Sequence, residues 1–285
     1  MKVLTKRNCI IILIVLCLFM IIGSFYDYPI SLALYNQKNP FGIFFASYGQ
    51  LPAMLCSGVG GLLLMRVYHH DKRIKRVLSI VFGILLQVMA VIGIAVDPVL
   101  YMHIPMAVSC IIALVIVGSV DITILKMTKD ASIDMMKKVM WLFIGTMFIE
   151  LIVINIVKIL WARPRMRMIT AMNVDFQPWW VIGSEMKDYL MALGVVSEEF
   201  KSFPSGHTGN AACMMLLSAL PLICSSLKGK ESLLFVVGII FTLLVAFSRI
   251  IMGAHFLTDV TVGMTVTFVV MNIMNQLIFK RTYFY

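Results

Sequence analysis

The sequence predicts an all-α fold, a polytopic bundle of about eight transmembrane helices. Of its 285 residues, 61% are hydrophobic and 13% are charged, whereas about 25% are charged in an ordinary soluble domain. Several apolar runs approach or exceed the roughly 20 residues that a helix needs to cross the hydrocarbon core. Because lipid offers no hydrogen-bond partner to a bare backbone amide, these runs are expected to be helical.

The first predicted span follows the basic segment MKVLTKR, and its long apolar run without a clear cleavage site favours a retained helix over a signal peptide. The basic link HHDKRIKR separates spans two and three, and a lysine-rich link separates spans four and five. Pro164 is expected to end the fifth span near Ala162, and Ser205 precedes the sixth. The predicted spans are 8–25, 50–68, 76–95, 103–121, 138–160, 207–227, 232–250 and 258–279. Together they predict a single integral membrane domain over residues 1–285, with a motif-bearing core at about 138–279.

Most lysines and arginines fall on one side of this arrangement, which the positive-inside rule makes the cytoplasmic side. They are Lys2, Lys6, Arg7, the HHDKRIKR link, Lys126, Lys129, Lys137, Lys138, Lys228, Lys230, Lys280 and Arg281. Both termini are therefore predicted to be cytoplasmic. The opposite side is nearly free of basic residues except in its last two links, which hold Arg163, Arg165, Arg167, Lys187, Lys201 and Arg249.

The formal net charge of +10 does not indicate a nucleic-acid partner, because the basic residues are scattered between apolar runs. The expected partners are membrane lipids. The oligomeric state is not predictable from these patterns.

The first polar cluster outside the cytoplasm is KILWARPRMR, at the end of span five. Lys158 and Arg165 are seven residues apart, and Pro164 interrupts the helix between them. Several cations at a helix end favour an anionic ligand. Contact with lipid headgroups is the alternative interpretation.

The second cluster is KSFPSGHTG, at the start of span six. Ser205 is a plausible N-cap, and Gly206 would let the backbone approach an anion closely. A helix start favours phosphate through its free amides and its dipole. His207 could then donate a proton to a leaving oxygen. A capped helix with an incidental interfacial histidine explains the same residues.

The third cluster, SRIIMGAHFLTDV, links spans seven and eight. His255 and Asp259 are four residues apart, so on a helix they would share a face and the carboxylate could accept from one imidazole nitrogen. The other nitrogen would then act as base or nucleophile. Arg249 supplies a planar fork suited to phosphate oxygens. A purely structural hydrogen bond between His255 and Asp259 is the alternative.

The predicted topology places all three clusters at the same membrane face. Together they supply cations, a helix start, two histidines and one carboxylate, a combination that favours phosphoryl transfer. A catalytic metal is not expected, because neighbouring lysines and arginines would repel a divalent cation.

In this order the clusters resemble the signature of the type 2 phosphatidic acid phosphatase superfamily: Lys with six residues before Arg-Pro, then PSGH, then SR with five residues before His and three more before Asp. The second and third motifs match fully at 204–207 and 248–259. The first departs at Met166, where the family has proline, and Arg163 with Pro164 offers a second Arg-Pro pair in a shifted register. The family core has six spans, so two extra helices would precede it.

The resemblance implies that His255 attacks phosphorus, Asp259 orients it and His207 protonates the leaving oxygen. It implies phosphate binding by Lys158, Arg165, Ser205, Gly206 and Arg249, with no metal or organic cofactor. Soluble vanadate-dependent haloperoxidases share the signature, but eight apolar spans argue against that branch.

The expected function is therefore hydrolysis of a lipid phosphate or pyrophosphate at the extracytoplasmic face. Undecaprenyl pyrophosphate, phosphatidylglycerol phosphate and phosphatidic acid are the candidate substrates. Phosphotransfer from the same phosphohistidine to an acceptor other than water is one alternative. An anion-binding transporter is another, although paired half-helices broken by Gly or Pro are not evident.

Overall fold

The computed structural model describes residues 3–279, and their regular elements are all helical. The α-helices are α1 Lys6–Leu34, α2 Pro40–Tyr48, α3 Leu51–Val67, α4 Arg73–Met102, α5 Met106–Met127, α6 Ile133–Trp161, α7 Met166–Met172, α8 Lys187–Ala192, α9 Gly206–Ala212, α10 Glu231–Ile251 and α11 Leu257–Phe279. Short 3-10 helices occupy Ser197–Phe200, Cys213–Leu222 and Ser225–Leu227. The chain ends that carry the predicted cytoplasmic Lys2, Lys280 and Arg281 lie outside the described residues.

Seven of the described helical segments are long and apolar enough to cross a membrane. They are Lys6–Leu34, Pro40–Val67, Arg73–Met102, Met106–Met127, Ile133–Met172, Glu231–Ile251 and Leu257–Phe279. Large apolar side chains such as Ile14, Phe25 and Leu114 are more than half exposed along these helices, as expected where lipid is the solvent. The predicted polytopic helical bundle is confirmed, and the chain is an integral membrane protein.

The predicted sixth span, 207–227, is not one long α-helix. It consists of α9 followed by the 3-10 helix Cys213–Leu222, which has Pro221 near its end. A 3-10 helix rises about 2.0 Å per residue, against about 1.5 Å in an α-helix. The two pieces together therefore extend roughly 30 Å, close to the thickness of the hydrocarbon core. This segment accounts for the difference between seven long helices and a bundle of about eight.

The start of α9 is held between α6 and α11 by small residues. A Cβ added at Gly263 of α11 would lie 2.3 Å from the Ser205 carbonyl oxygen, and one at Gly209 would lie 2.3 Å from Ile154 of α6. Gly263 permits a backbone approach that any side chain would prevent, and Gly209 leaves room for the Ile154 side chain. The packing places Ser205, Gly206 and His207 beside the ends of α6 and α10.

The predicted end of span five is confirmed. Helix α6 ends at Trp161, and Ala162 adopts a left-handed conformation with φ of 46° before Arg163 and Pro164. Because proline disfavours helical conformation in the preceding residue, Arg163 leaves the helix and turns inward. This turn brings Arg163 and Arg165 into the interior at this end of the bundle, where both are buried.

Candidate active site

A cavity of about 220 Å³ lies at the meeting point of α6, α9 and the link before α11. Among the residues predicted as site residues, Lys158, Arg165, Gly206, His207 and His255 line it. Its remaining lining residues are Gln50, Glu150, Leu151, Ile154, Asn155, Glu198 and Asn210. Ser205, Arg249 and Asp259 lie behind this lining and contact residues that form it.

His255 is held in one tautomer by a backbone carbonyl. Its Nδ1 lies 2.6 Å from the Ser202 oxygen, and a carbonyl can only accept, so Nδ1 must donate the proton. The Nε2 atom then carries the free lone pair, while the ring lines the cavity. Burial lowers the pKa of His255 well below its ordinary value, although Asp259 opposes that shift. The imidazole is therefore neutral and nucleophilic near neutral pH.

Asp259 does not form the direct hydrogen bond with His255 that the four-residue spacing predicts. Its Oδ2 lies 3.8 Å from His255 Nδ1 and instead accepts from Ser202 Oγ at 2.5 Å and from the Phe256 amide at 2.8 Å. The reason is that α11 begins at Leu257, so His255 precedes the helix and the two side chains do not share a helical face. Asp259 and His255 are thus connected through Ser202, whose hydroxyl contacts Asp259 and whose carbonyl contacts His255.

Arg163 is completely buried and fully paired. Its guanidinium donates to Asp259 Oδ1 at 2.5 Å, to Asp27 Oδ2 at 3.0 Å and to the Gln177 carbonyl at 2.8 Å, and it stacks over Phe256 at 4.3 Å. Each of its three nitrogens already donates to a protein oxygen, and it is not among the cavity-lining residues. This geometry disfavours the shifted register for phosphate binding and gives Arg163 a structural role between α1 and α11.

Arg165 and Arg249, the two arginines predicted to bind phosphate, have buried donors without a hydrogen-bond acceptor among the described residues. Within residues 3–279, Arg165 Nε and Arg249 Nε and Nη1 have no partner, while Arg249 Nη2 donates to Tyr101 at 3.2 Å. Lys158 Nζ donates to the Lys201 carbonyl at 2.8 Å and lines the cavity. Buried, unpaired guanidinium donors are costly unless an anion completes them.

Ser205 is the N-cap of α9, as the sequence predicts. Its Oγ accepts from the Thr208 amide at 3.3 Å and from Thr208 Oγ1 at 3.0 Å, and its own amide donates to the Asp259 carbonyl at 2.9 Å. This hydroxyl is therefore occupied in the cap. Gly206 lines the cavity, and a Cβ there would lie 3.5 Å from Lys158 Cε.

His207 faces two acceptors and one amide donor from the first half of the chain, and the donor, Gln50 Nε2, lies 3.5 Å from His207 Nε2. Its Nε2 lies 3.2 Å from the Ala46 carbonyl and 3.5 Å from Asp97 Oδ2. Gln50 Nε2 donates to the same Asp97 oxygen at 2.6 Å. The edge of Tyr101 packs beside the imidazole, with ring centroids 6.2 Å apart.

Several site residues were not predicted from the sequence. The missed residues are Asp27, Gln50, Asp97, Tyr101, Glu150, Ser202 and Asn210. The predicted spans 8–25 and 76–95 leave Asp27 and Asp97 outside the membrane, but the structure places both inside helices, with 3% and 7% exposure. An acidic residue at the end of an apolar run is the signal that could have identified them, since such residues are rarely left in lipid without a function.

A match to a known protein family covers the second half of the chain, where the three polar clusters lie. The family model described as "PAP2 superfamily" matches residues 139–283. Phosphatidylglycerophosphatase B of Bacillus subtilis (strain 168) is 40% identical over 75 residues, which is 24% of this chain and 35% of that protein. The matched segment thus spans about a third of the relative's length. No solved structure matches the chain.

Proposed function

This chain belongs to the PAP2 superfamily, and we propose that it hydrolyses a lipid phosphate or pyrophosphate through a phosphohistidine at His255. The observation that carries the proposal is the geometry of His255. Its Nδ1 proton is committed to Ser202, so Nε2 is free to attack in a cavity also lined by Lys158, Arg165 and His207. The family and the relative named above support lipid phosphatase activity in general.

In the first step, His255 Nε2 attacks phosphorus and the bond from phosphorus to the leaving oxygen breaks. His207 donates a proton to that oxygen, so the alcohol or phosphate leaves without a full negative charge. Water then attacks phosphorus in the phosphohistidine, the bond from phosphorus to His255 Nε2 breaks, and His207 takes one of the protons of the water. The products are the dephosphorylated lipid and inorganic phosphate, with the enzyme unchanged.

Positive charge would stabilise the extra charge of the transition state. Arg165 and Arg249 offer buried guanidinium donors that lack a protein acceptor among the described residues, and Lys158 adds a third cation. The Gly206 amide would complete the phosphate site, whereas Ser205 would act mainly by capping α9. Such preorganised donors are most effective in a site that excludes water.

The substrate is proposed to keep its acyl or prenyl chains in the bilayer while its phosphate enters the cavity. Phosphatidylglycerol phosphate is the first substrate to test, because the Bacillus subtilis relative is named for that activity. Undecaprenyl pyrophosphate and phosphatidic acid remain candidates of the same chemical class.

The test is phosphate release by purified protein in detergent, from these three lipids, with EDTA present. Turnover of at least one lipid in EDTA is the expected result, since the proposed mechanism uses no metal. Turnover that EDTA abolishes would contradict the metal-free mechanism, and absence of turnover on every lipid phosphate would contradict the function. Adding a lipid alcohol and analysing the products distinguishes hydrolysis from phosphotransfer.

The active site is proposed to face away from the cytoplasm, because the site arginines and Lys158 lie opposite the lysine-rich links. Ser197 is exposed beside the site in the 3-10 helix Ser197–Phe200. A Ser197→Cys variant is expected to react with an impermeant thiol reagent added to intact cells. Labelling only after the cytoplasmic side is opened, with the wild-type chain as control, would reverse the orientation.

A further inference from the structure

We propose that Asp97 positions His207 by holding its Nε2–H. The Nδ1 atom then faces the leaving oxygen, and the protonated imidazole acts as the general acid. The proposal rests on the proposed function and adds a residue from α4 to the site. Asp97 is a positioning residue, because it acts through His207.

The first support is the position of the carboxylate. Asp97 is 7% exposed near the end of α4, and its Oδ2 lies 3.5 Å from His207 Nε2. The Ala46 carbonyl approaches the same nitrogen at 3.2 Å. The Gln50 amide nitrogen also lies 3.5 Å from Nε2, but it donates to Asp97 at 2.6 Å. The nearest neighbour of Nε2 is the carbonyl acceptor, so we assign a proton to Nε2 in both charge states. The opposite edge of the ring, Nδ1, is left for the substrate.

The second support is a hydrogen-bond chain that holds the carboxylate in place. Asn210, three residues after His207 on α9, donates to Gln50 Oε1. Because that oxygen accepts, the amide nitrogen of Gln50 must face the other way, and it donates to Asp97 Oδ2 at 2.6 Å. Asp97 and His207 are therefore linked both directly and through Gln50 and Asn210.

The third support is the charge around His207. Arg249 approaches from α10, Lys158 from α6, Arg165 from the segment after α6, and His255 from the link before α11. All of these except neutral His255 are positive and disfavour a protonated imidazole. Tyr101 packs at its edge, and Glu150 lines the same cavity farther along α6. Among residues 3–279, Asp97 is the carboxylate with an oxygen within 4 Å of a His207 ring nitrogen, so it is the group placed to offset the surrounding cations.

Asp97 and Gln50 both precede residue 139, where the match to the family model begins. The segments before the motif-bearing core therefore contribute residues to the site in addition to packing against the core. They supply the environment of the proposed general acid.

The test compares Asp97→Asn with wild type on two substrates that differ in their need for a proton. One is the lipid phosphate that wild type hydrolyses fastest. The other is a nitrophenyl phosphate with an alkyl chain on its ring, whose leaving group departs without protonation. On the lipid substrate, kcat is expected to fall about ten- to hundredfold, a part of the roughly 10²- to 10⁴-fold that general acid catalysis supplies. On the nitrophenyl substrate, the change is expected to be much smaller.

Two further readouts separate positioning from simple damage to the fold. The alkaline limb of the pH–rate profile is expected to move to lower pH in Asp97→Asn, because the imidazolium loses its carboxylate. In a His207→Ala background, Asp97→Asn is expected to cause no further loss. Asp121→Asn is the matched control, since Asp121 also accepts from a glutamine, Gln87, at 2.8 Å but lies away from the site.

An equal loss on both substrates, an unmoved pH profile or an additive loss in the His207→Ala background would overturn the inference. Wild-type kinetics in Asp97→Asn would overturn it as well. These outcomes all require an active wild-type enzyme. A wild-type protein that releases phosphate from no substrate would instead contradict the proposed function.

Discussion

Replacing His255 with alanine is expected to lower lipid phosphate turnover at least about a thousandfold, because it removes the proposed nucleophile. The cations and the cap of α9 remain in the variant, so the phosphate site should persist. Phosphate release measures the loss of chemistry. Protection of the variant against thermal unfolding by inorganic phosphate measures whether the site still binds.

His69→Ala is the control for this experiment, since His69 is an exposed histidine in the link between α3 and α4. It is expected to retain wild-type turnover. Turnover of His255→Ala within tenfold of wild type would remove His255 as the nucleophile. A variant that loses both turnover and phosphate protection would be tested again as His255→Gln, which preserves more of the side-chain volume.

Replacing Arg163 with methionine is expected to destabilise the protein by about 3–5 kcal/mol, the usual cost of breaking a buried ion pair. Arg163 is 0% exposed and joins Asp27 to Asp259, so its loss leaves two carboxylates buried without their cation. Thermal unfolding in detergent measures the change. Turnover is expected to fall too, because Asp259 supports Ser202 and therefore His255.

Arg167→Met is the matched control. Its bidentate pair with Glu199 is partly exposed, at 22% and 17% of the two side chains, so its loss is expected to cost less than the loss of fully buried Arg163. Adding Asp27→Asn to Arg163→Met is expected to recover part of the lost stability. Equal destabilisation by Arg163→Met and Arg167→Met would show that the buried network does not have the proposed role.

Hydrophobic length predicts most of this fold, because each crossing must satisfy its own backbone in lipid. Local chemistry predicts the breaks at Ala162 and Ser205, since proline and an N-cap act on their immediate neighbours. The 3-10 geometry after α9 was not predictable. It occurs where α10 approaches closely, since a Cβ at Gly238 would lie 2.6 Å from the Met215 amide nitrogen.

The site was predictable only as far as its motifs extend along the chain. Lys158, Arg165, His207 and His255 line one cavity, as the three clusters suggested. The contacts between elements were not predictable from spacing. Ser202 separates His255 from Asp259, and Asp27 reaches Arg163 from a helix 136 residues earlier. Such pairings are determined by how the helices pack, which no local pattern records.

The stereochemical course at phosphorus tests directly whether a phosphohistidine forms at His255, because it does not require the intermediate to accumulate. A lipid thiophosphate made chiral at phosphorus with oxygen isotopes would be hydrolysed by the purified protein, and the configuration of the released thiophosphate determined. Attack by His255 and then by water gives two in-line displacements, so the account predicts net retention. Net inversion would show direct attack by water and would contradict the phosphohistidine.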